Sequence, residues 1–167
     1  MKQIILMRHA EAEPERGIAS DFERALTEAG REMARRTAQL LRENGIRLCR
    51  IIESSADRTT QTEEIVQAEF GRSLPLILRD ELYHADASLY LSVAAQEASD
   101  EDSCLLIVGH NPGMAELMMS CSLRSLSVPP STAAVFDMDI QEWQTLLTPV
   151  QPGFRRRLLV CDGRLIP

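Results

Sequence analysis

The chain has 167 residues, and its 18 lysines and arginines against 25 aspartates and glutamates give a formal net charge of −7. That length suits one domain with a sizeable core, so we expect residues 1–167 to form a single domain. The acidic balance argues against nucleic acid or an anionic membrane as a partner, because both need a basic face. The sequence shows no apolar stretch as long as a membrane span and no signal-peptide pattern, which favours a cytoplasmic protein.

The cysteines and histidines indicate neither disulfides nor a metal site. The four cysteines form no C-x-x-C pair, and three of them lie in or beside apolar runs, as small buried hydrophobes do. The three histidines, His9, His84 and His110, lack the spacing of metal ligands. We therefore expect no metal ion and no other cofactor.

Strand and helix signals alternate in the first half of the chain. In order, they predict a buried strand at 3–7, a polar loop at 10–25 with Pro14 and Gly17, a helix from the N-cap Thr27 to Asn44-Gly45, a strand at 48–52, a helix within 54–70 and a short strand at 75–78. Strands that alternate with helices in this way are typical of a parallel sheet.

The second half continues the alternation and then changes. In order, it predicts a helix from the cap Asp86 to Glu97, a strand at 104–108, a helix along the stripe from Met114 to Cys121 and, after Pro129-Pro130, strands of a meander at 132–138, 144–150 and 155–161. The fold class that follows is α/β. We expect three layers, with a mostly parallel central sheet flanked by helices and some edge strands late in the chain.

Three of the predicted strands are followed by residues that suit a phosphate site. Arg8-His9 ends the first strand, His110 follows the fourth strand, and Arg58 lies in the first turn of the helix after the second strand. Because ligands bind outside the carboxyl ends of strands in open α/β sheets, we expect these side chains to converge. Arg24 from the loop is a candidate fifth member, although Asp21 could hold it in a simple ion pair.

This inventory indicates phosphoryl chemistry. Two arginines and two histidines at one point would repel each other without an anion, and guanidinium forks match the oxygens of phosphate. A neutral imidazole can attack phosphorus and form a phosphohistidine intermediate, while the arginines neutralise the oxygens of the transition state. The second histidine can donate a hydrogen bond to the same oxygens. Such a site needs no metal ion, because arginine and imidazole supply its positive charge.

Four motifs stand in register along the chain. They are Arg8-His9, Asp21-x-x-Arg24-x-Leu26-Thr27-x-x-Gly30, Ser54-x-x-x-Arg58-x-x-Gln61-Thr62 and Val108-Gly109-His110-Asn111-Pro112. Together they resemble the histidine phosphatase superfamily, and most closely its SixA-type phosphohistidine phosphatases. Glu81-Leu82-Tyr83 is similar to the short segment after the third strand in that branch. The resemblance implies a phosphoglycerate-mutase-like fold, with residues 1–167 as one histidine phosphatase domain.

The resemblance also implies roles for individual residues. His9 would be the nucleophile, and the phosphoryl group would be bound by Arg8, Arg58 and His110 with help from Arg24. Two positions depart from the superfamily pattern, since Ala10 replaces the usual glycine and Ser55 the usual proline.

The general acid is the remaining role. Many relatives use a carboxylate from the segment after the third strand, and Glu81, with Asp80 beside it, is the nearest match. An alkyl phosphate ester would need such a proton donor, whereas the labile P–N bond of phosphohistidine needs little help.

The resemblance therefore implies a metal-independent phosphatase that works through a phosphohistidine on His9. The expected partner is a phosphorylated protein, such as a histidine phosphotransfer domain, because the chain lacks the long insertions that enclose small-molecule sites. Two alternatives stay open. One is a small-molecule phosphomonoesterase acting on a phosphate ester, and the other is a non-catalytic phosphoprotein-binding module.

Overall fold

The structure is a computed structural model that describes residues 1–15, 20–150 and 152–167. The predicted loop at 10–25 includes Gly17, which lies outside the described residues. Within those residues the strands are β1 (Lys2–Arg8), β2 (Arg50–Glu53), β3 (Leu76–Leu78), β4 (Cys104–Gly109), β5 (Ala133–Met138), β6 (Phe154–Cys161) and β7 (Arg164–Leu165). The α-helices are α1 (Glu28–Glu43), α2 (Asp57–Phe70), α3 (Ala87–Glu97) and α4 (Gly113–Ser122), and short 3₁₀ helices span Asp21–Glu23, Asp80–His84 and Trp143–Leu147.

Two predicted caps begin their helices as expected. The side chain of Thr27 accepts a hydrogen bond from the backbone N–H of Gly30 at the start of α1. Asp86 does the same for the backbone N–H of Leu89 at the start of α3. Each side chain satisfies a backbone donor that has no partner within its helix.

The strands form one sheet in the order β3-β2-β4-β1-β5-β6-β7 across the described ranges. The first four strands of that order are parallel, and β5, β6 and β7 add to them as an antiparallel meander. The predicted α/β fold is therefore confirmed, with antiparallel strands late in the chain. The carboxyl ends of β1, β2 and β4 lie side by side at one edge, which is where a site is expected.

Helices cover both faces of this sheet. Alternate residues of β1 point to opposite faces, so Ile4 and Leu6 pack with α3 and α4 while Ile5 and Met7 pack with α1 and α2. Because both faces are covered, residues 4–7 of β1 and the whole of β4 form continuous apolar runs. No helix among the described residues is long and apolar enough to cross a membrane.

The predicted strand at 144–150 is wrong, because Trp143–Leu147 forms a 3₁₀ helix instead. Its two buried side chains, Trp143 and Leu146, are three residues apart, whereas a strand would bury alternate residues. The Trp143 ring nitrogen donates a hydrogen bond to the carbonyl of Asp102 at 3.0 Å.

Candidate active site

The two strand-end histidines lie next to each other. β1 and β4 pair in parallel with Arg8 opposite Gly109, so the residues that follow, His9 and His110, leave the sheet at neighbouring points. Their ring centroids are 5.1 Å apart, and both side chains are buried. The backbone N–H of His9 donates to the carbonyl of Gly109 at 3.0 Å, which ties the two strand ends together.

Arg58 reaches the same point from the first turn of α2. Its Nε donates to Nε2 of His9 at 3.3 Å. Its two terminal nitrogens turn the other way, Nη1 to the backbone carbonyl of Asp21 at 2.7 Å and Nη2 to the Asp21 carboxylate at 3.1 Å. The guanidinium is buried, so its charge acts strongly on its neighbours.

The contacts of His9 define its tautomer. Nδ1 lies 2.7 Å from the carbonyl oxygen of Ala10, which can only accept, so Nδ1 carries the proton. Nε2 is therefore unprotonated and accepts the hydrogen bond from Arg58. Burial lowers the pKa of His9 to about 4, and the charge of Arg58 adds to this against the raising effect of the Ala10 hydrogen bond. The ring is thus neutral at neutral pH.

His110 is also held neutral. Burial, followed by the nearby His9 and Arg58, lowers its pKa to about 3. Nε2 of His110 lies 2.7 Å from the hydroxyl of Ser54, at the end of β2. Its Nδ1 is buried and has no hydrogen-bond partner within the described part of the chain, and the same is true of Nε of Arg8. Buried polar atoms of this kind often mark a ligand site.

The carboxylate of Asp21 accepts hydrogen bonds from three side chains beside this pocket. Its Oδ1 accepts from Nε of Arg24 at 2.8 Å, and its Oδ2 accepts from both Arg58 and the hydroxyl of Tyr83. The Tyr83 hydrogen bond contributes most to lowering the pKa of Asp21 to about 2, and the two arginines lower it further. Asp21 is therefore an ionised carboxylate, and Arg24 forms the ion pair that its sequence neighbours suggested.

Tyr83 connects this network to the histidines. The Cζ atom of Arg58 lies 5.5 Å from the centre of the Tyr83 ring, within the range of a cation–π contact. The same ring meets His110 edge to face with centroids 5.4 Å apart. Sequence reasoning gave Asp21 only an ion pair with Arg24 and gave Tyr83 no role, although both stand inside the quoted motifs.

Glu81 does not join the cluster. It is exposed on the 3₁₀ helix Asp80–His84, and the described residues include no hydrogen bond or ion pair between Glu81 and His9, Arg58 or His110. Its negative charge acts on Arg79 instead. The role of Glu81 as a general acid therefore stays a prediction.

The polar residues that follow Arg58 in its motif hold the surrounding backbone. The hydroxyl of Thr62 accepts from the backbone N–H of Ala10 at 2.9 Å, which fixes the segment after His9. The side-chain oxygen Oε1 of Gln61 accepts hydrogen bonds from the backbone N–H of Leu26 and from Nη2 of Arg31, both at 2.9 Å. This motif thus supplies the arginine and also fastens two neighbouring segments to α2.

Gly109 is required by a close approach behind His110. A Cβ atom at this position would lie 2.4 Å from the hydroxyl oxygen of Tyr90. That hydroxyl accepts from the backbone N–H of His110 at 2.9 Å. The glycine therefore lets Tyr90 hold the backbone that carries the second histidine.

A cleft of about 320 Å³ opens beside His110. The rings of Tyr83 and His84 line it together with the carboxyl-bearing side chains of Asp86 and Glu116. In the described ranges, no group of three or more histidine, cysteine, aspartate or glutamate side chains is placed to hold a metal ion.

Residues 4–103 match the family model of the histidine phosphatase superfamily (branch 1). The match covers more than half of the chain, so the chain belongs to that superfamily, and it is a phosphatase. The matched range includes the strand-end motif Arg8-His9 and Arg58, and it ends before His110.

Three solved structures are similar over most of the chain. The proposed phosphohistidine phosphatase SixA from Agrobacterium tumefaciens is 28% identical, with a TM-score of 0.80 over 96% of this chain and 98% of that one. The proposed SixA from Nakamurella multipartitia is 26% identical, with a TM-score of 0.79 over 96% and 95%. A protein histidine phosphatase SixA in complex with tungstate, 22% identical with a TM-score of 0.76 over 92% and 94%, shares the fold. Comparison with curated protein sequences finds no match.

Proposed function

We propose that this phosphatase removes the phosphoryl group from phosphohistidine on a partner protein, through a phosphorylated His9 and without a metal ion. One observation carries the proposal. The neutral ring of His9 presents an unprotonated Nε2 directly beside the guanidinium of Arg58. An unprotonated ring nitrogen is a nucleophile for phosphorus, and the adjacent guanidinium can bind the oxygens of the group under attack.

In the first step, Nε2 of His9 attacks phosphorus as the bond between phosphorus and the substrate nitrogen breaks. The electron pair of that bond leaves with the substrate imidazole. Arg58 transfers its Nε hydrogen bond from His9 to a phosphoryl oxygen, and Arg8 contributes its buried Nε. These donors supply the positive charge that a metal ion supplies in other phosphoryl-transfer sites.

His110 supports the same group as a neutral donor. In this proposal the Ser54 hydroxyl is the donor to Nε2 of His110, so the ring proton is on the buried Nδ1 and can be donated to a phosphoryl oxygen. Arg24 adds positive charge from the Asp21 side of the pocket, where its charge contributes to lowering the pKa of His9.

In the second step, water attacks the phosphorus on His9 and the bond to Nε2 breaks. Both protons of the water stay on the phosphate, and His9 returns as a neutral ring. The substrate imidazole of the first step likewise leaves neutral when its other nitrogen already carries a proton. Neither step therefore requires a separate proton donor.

Among the described residues, no carboxyl group forms a hydrogen bond with His9 or His110, which supports a P–N substrate. An alkoxide leaving group needs a proton in the transition state, whereas imidazole does not. Asp21, the carboxylate bound to Arg58, has its pKa lowered to about 2 and is already ionised. Glu81 is exposed and forms no hydrogen bond or ion pair with His9 among the described residues.

The cleft beside His110 supports a protein substrate over an anionic metabolite. The backbone N–H of Leu89 lowers the pKa of Asp86, so this carboxylate keeps its charge, and Glu116 lies in the same cleft. These carboxylates would repel a second anionic group beside the phosphoryl group, which many metabolites carry and a phosphohistidine side chain lacks. Two solved structures more than 25% identical to this chain are named as proposed phosphohistidine phosphatases, which supports the same substrate class.

The test measures phosphate release in EDTA from a phosphorylated histidine phosphotransfer domain and from a panel of small phosphate esters. We expect faster release from the phosphorylated domain, the same rate without EDTA, and no release by His9→Ala. The His9→Ala protein should still bind inorganic phosphate through its arginines.

Each other outcome contradicts a stated part of the proposal. Preference for an ester would indicate a phosphomonoesterase, and Glu81→Gln would then be the next variant to measure. Binding of the phosphorylated domain without turnover would indicate a phosphoprotein-binding module. Inhibition by EDTA that Mg²⁺ reverses would contradict the metal-independent mechanism.

A further inference from the structure

Arg58 does not contact His9 through its two terminal nitrogens, Nη1 and Nη2. Both terminal nitrogens donate to Asp21, one to its backbone carbonyl and one to its carboxylate, so only the Nε edge faces the nucleophile. The orientation of the guanidinium is therefore set by a residue that forms no hydrogen bond with either histidine in the described part of the chain.

We propose that Asp21 is a positioning residue of the phosphatase reaction, which turns the Nε edge of Arg58 toward His9 and holds Arg24 and Tyr83 at the same pocket. This inference rests on the proposed roles of His9 and Arg58. A reaction that depends on in-line geometry is sensitive to such placement, because a misplacement of about 1 Å can cost about a hundredfold in rate.

The hydrogen-bond inventory explains why this position needs a carboxylate. Oδ1 accepts from Arg24, while Oδ2 accepts from Arg58 and from the Tyr83 hydroxyl. An asparagine has nearly the same shape but offers one accepting oxygen and one donating nitrogen. The amide oxygen would therefore accept from the partners on one side of the network. The amide nitrogen, itself a donor, would face a second donor on the other side.

The negative charge of Asp21 makes it possible to distinguish a positioning role from direct binding of the phosphoryl group. A carboxylate next to the phosphoryl pocket repels a phosphate anion, so its removal should leave phosphate affinity unchanged or increased. Removal of a residue that bound the phosphoryl group directly would instead lower the affinity for phosphate. A general loosening of the pocket would weaken turnover and phosphate binding together.

The experiment compares wild type with Asp21→Asn in turnover of phosphohistidine and in inhibition by inorganic phosphate. We expect kcat to fall by at least about tenfold because the guanidinium loses its fixed orientation, with phosphate inhibition as strong as in wild type or stronger. Glu28→Gln is the matched control, because it removes one carboxylate charge from an exposed side chain seven residues away and should leave both quantities unchanged.

Two further variants sharpen the result. Tyr83→Phe removes one hydroxyl and keeps both arginine contacts of Asp21, so its kcat should fall less than that of Asp21→Asn. Asp21→Glu restores two accepting oxygens, so it should recover part of the lost kcat. If Asp21→Asn does not fold, a reduced kcat with unreduced phosphate affinity in Asp21→Glu supports the proposal in its place.

A kcat of Asp21→Asn within about twofold of wild type, well short of the loss expected from misplacement, would overturn the inference. A parallel loss of phosphate affinity would also overturn it. If wild type does not turn over phosphohistidine, the proposed function fails instead. In an active wild type, the Asp21 variants test the inference alone.

Discussion

At the scale of single residues, the site keeps the imidazole of His9 neutral among positive charges. His9 is buried beside Arg58, and the Ala10 carbonyl fixes its proton on Nδ1. Burial disfavours the charged ring, and the arginines disfavour it further. The same charges that would stabilise a phosphoryl group thus help burial to keep His9 neutral, which is the form that the proposed attack on phosphorus requires.

The ring of His9 should become protonated only near pH 4 in the free protein, because its pKa is lowered to about 4. In the unfolded chain the pKa of His9 is about 6.5, so below that pH the unfolded chain binds a proton that the folded chain does not bind. This residue therefore contributes stability at neutral pH that is lost as pH falls from about 6.5 to about 4. NMR titration of the imidazole, assigned with His9→Asn, measures the value. A midpoint near 6.5 would contradict this electrostatic account.

The sequence could predict some residues of the site and not others. Arg8, His9 and His110 each follow an apolar run, and that position alone indicates the edge of the sheet. Asp21 and Tyr83 carry no such pattern. They are 62 residues apart in sequence, and their contact exists only once the loop and the 3₁₀ helix are placed together.

At the scale of elements, the residues of the candidate site follow the ends of β1, β2 and β4, and close packing behind them fixes the backbone. Buried parallel strands are predictable because they appear as continuous apolar runs. The 3₁₀ helix Trp143–Leu147 is not predictable from the sequence, because its three apolar residues do not reveal that Leu147 is exposed while Trp143 and Leu146 are buried. β7 has two residues and no detectable period.

Gly109→Ala should lower the free energy of unfolding by about 1–3 kcal/mol, because the new Cβ overlaps the buried Tyr90 hydroxyl. Gly153→Ala is the matched control, since a Cβ there meets nothing within 4 Å. Urea unfolding of both variants measures the difference. Equal stability of the two would show that Tyr90 moves aside without cost.

Glu53→Gln should stabilise the protein at alkaline pH. Glu53 is fully buried at the end of β2, and burial, with the nearby Glu63, raises its pKa to about 9. Between about 4.5 and 9 the unfolded chain releases a proton that the folded state keeps, so stability falls as pH rises.

Urea unfolding at pH 5 and pH 8 tests this expectation for Glu53→Gln. Its advantage over wild type should be larger at pH 8. Glu64→Gln, on the exposed face of α2, is the control and should show a much smaller change. An advantage that does not depend on pH would contradict a buried, protonated Glu53.

At the scale of the whole molecule, one sheet joins elements from both ends of the chain. It runs from β3 to β7, with strands from Lys2 to Leu165, and helices pack on both of its faces. β1 and β4 contribute to the core on each face, so neither face can unfold alone. We therefore propose that residues 1–167 form a single cooperative domain.

A single domain predicts one unfolding transition, with the calorimetric enthalpy equal to the van't Hoff enthalpy. Differential scanning calorimetry of the full chain measures both quantities. Two resolved transitions would show that part of the chain unfolds independently of the sheet.

The central claim is that turnover passes through a phosphorylated His9. Mixing the protein with phosphohistidine substrate, quenching in alkali and measuring the intact chain and its peptides by mass spectrometry tests this most directly. We expect a phosphoryl group that is stable in alkali and labile in acid, located on His9 and absent from His9→Ala. Turnover with no phosphorylated chain at any quench time, or with the phosphoryl group on another residue, would contradict the account.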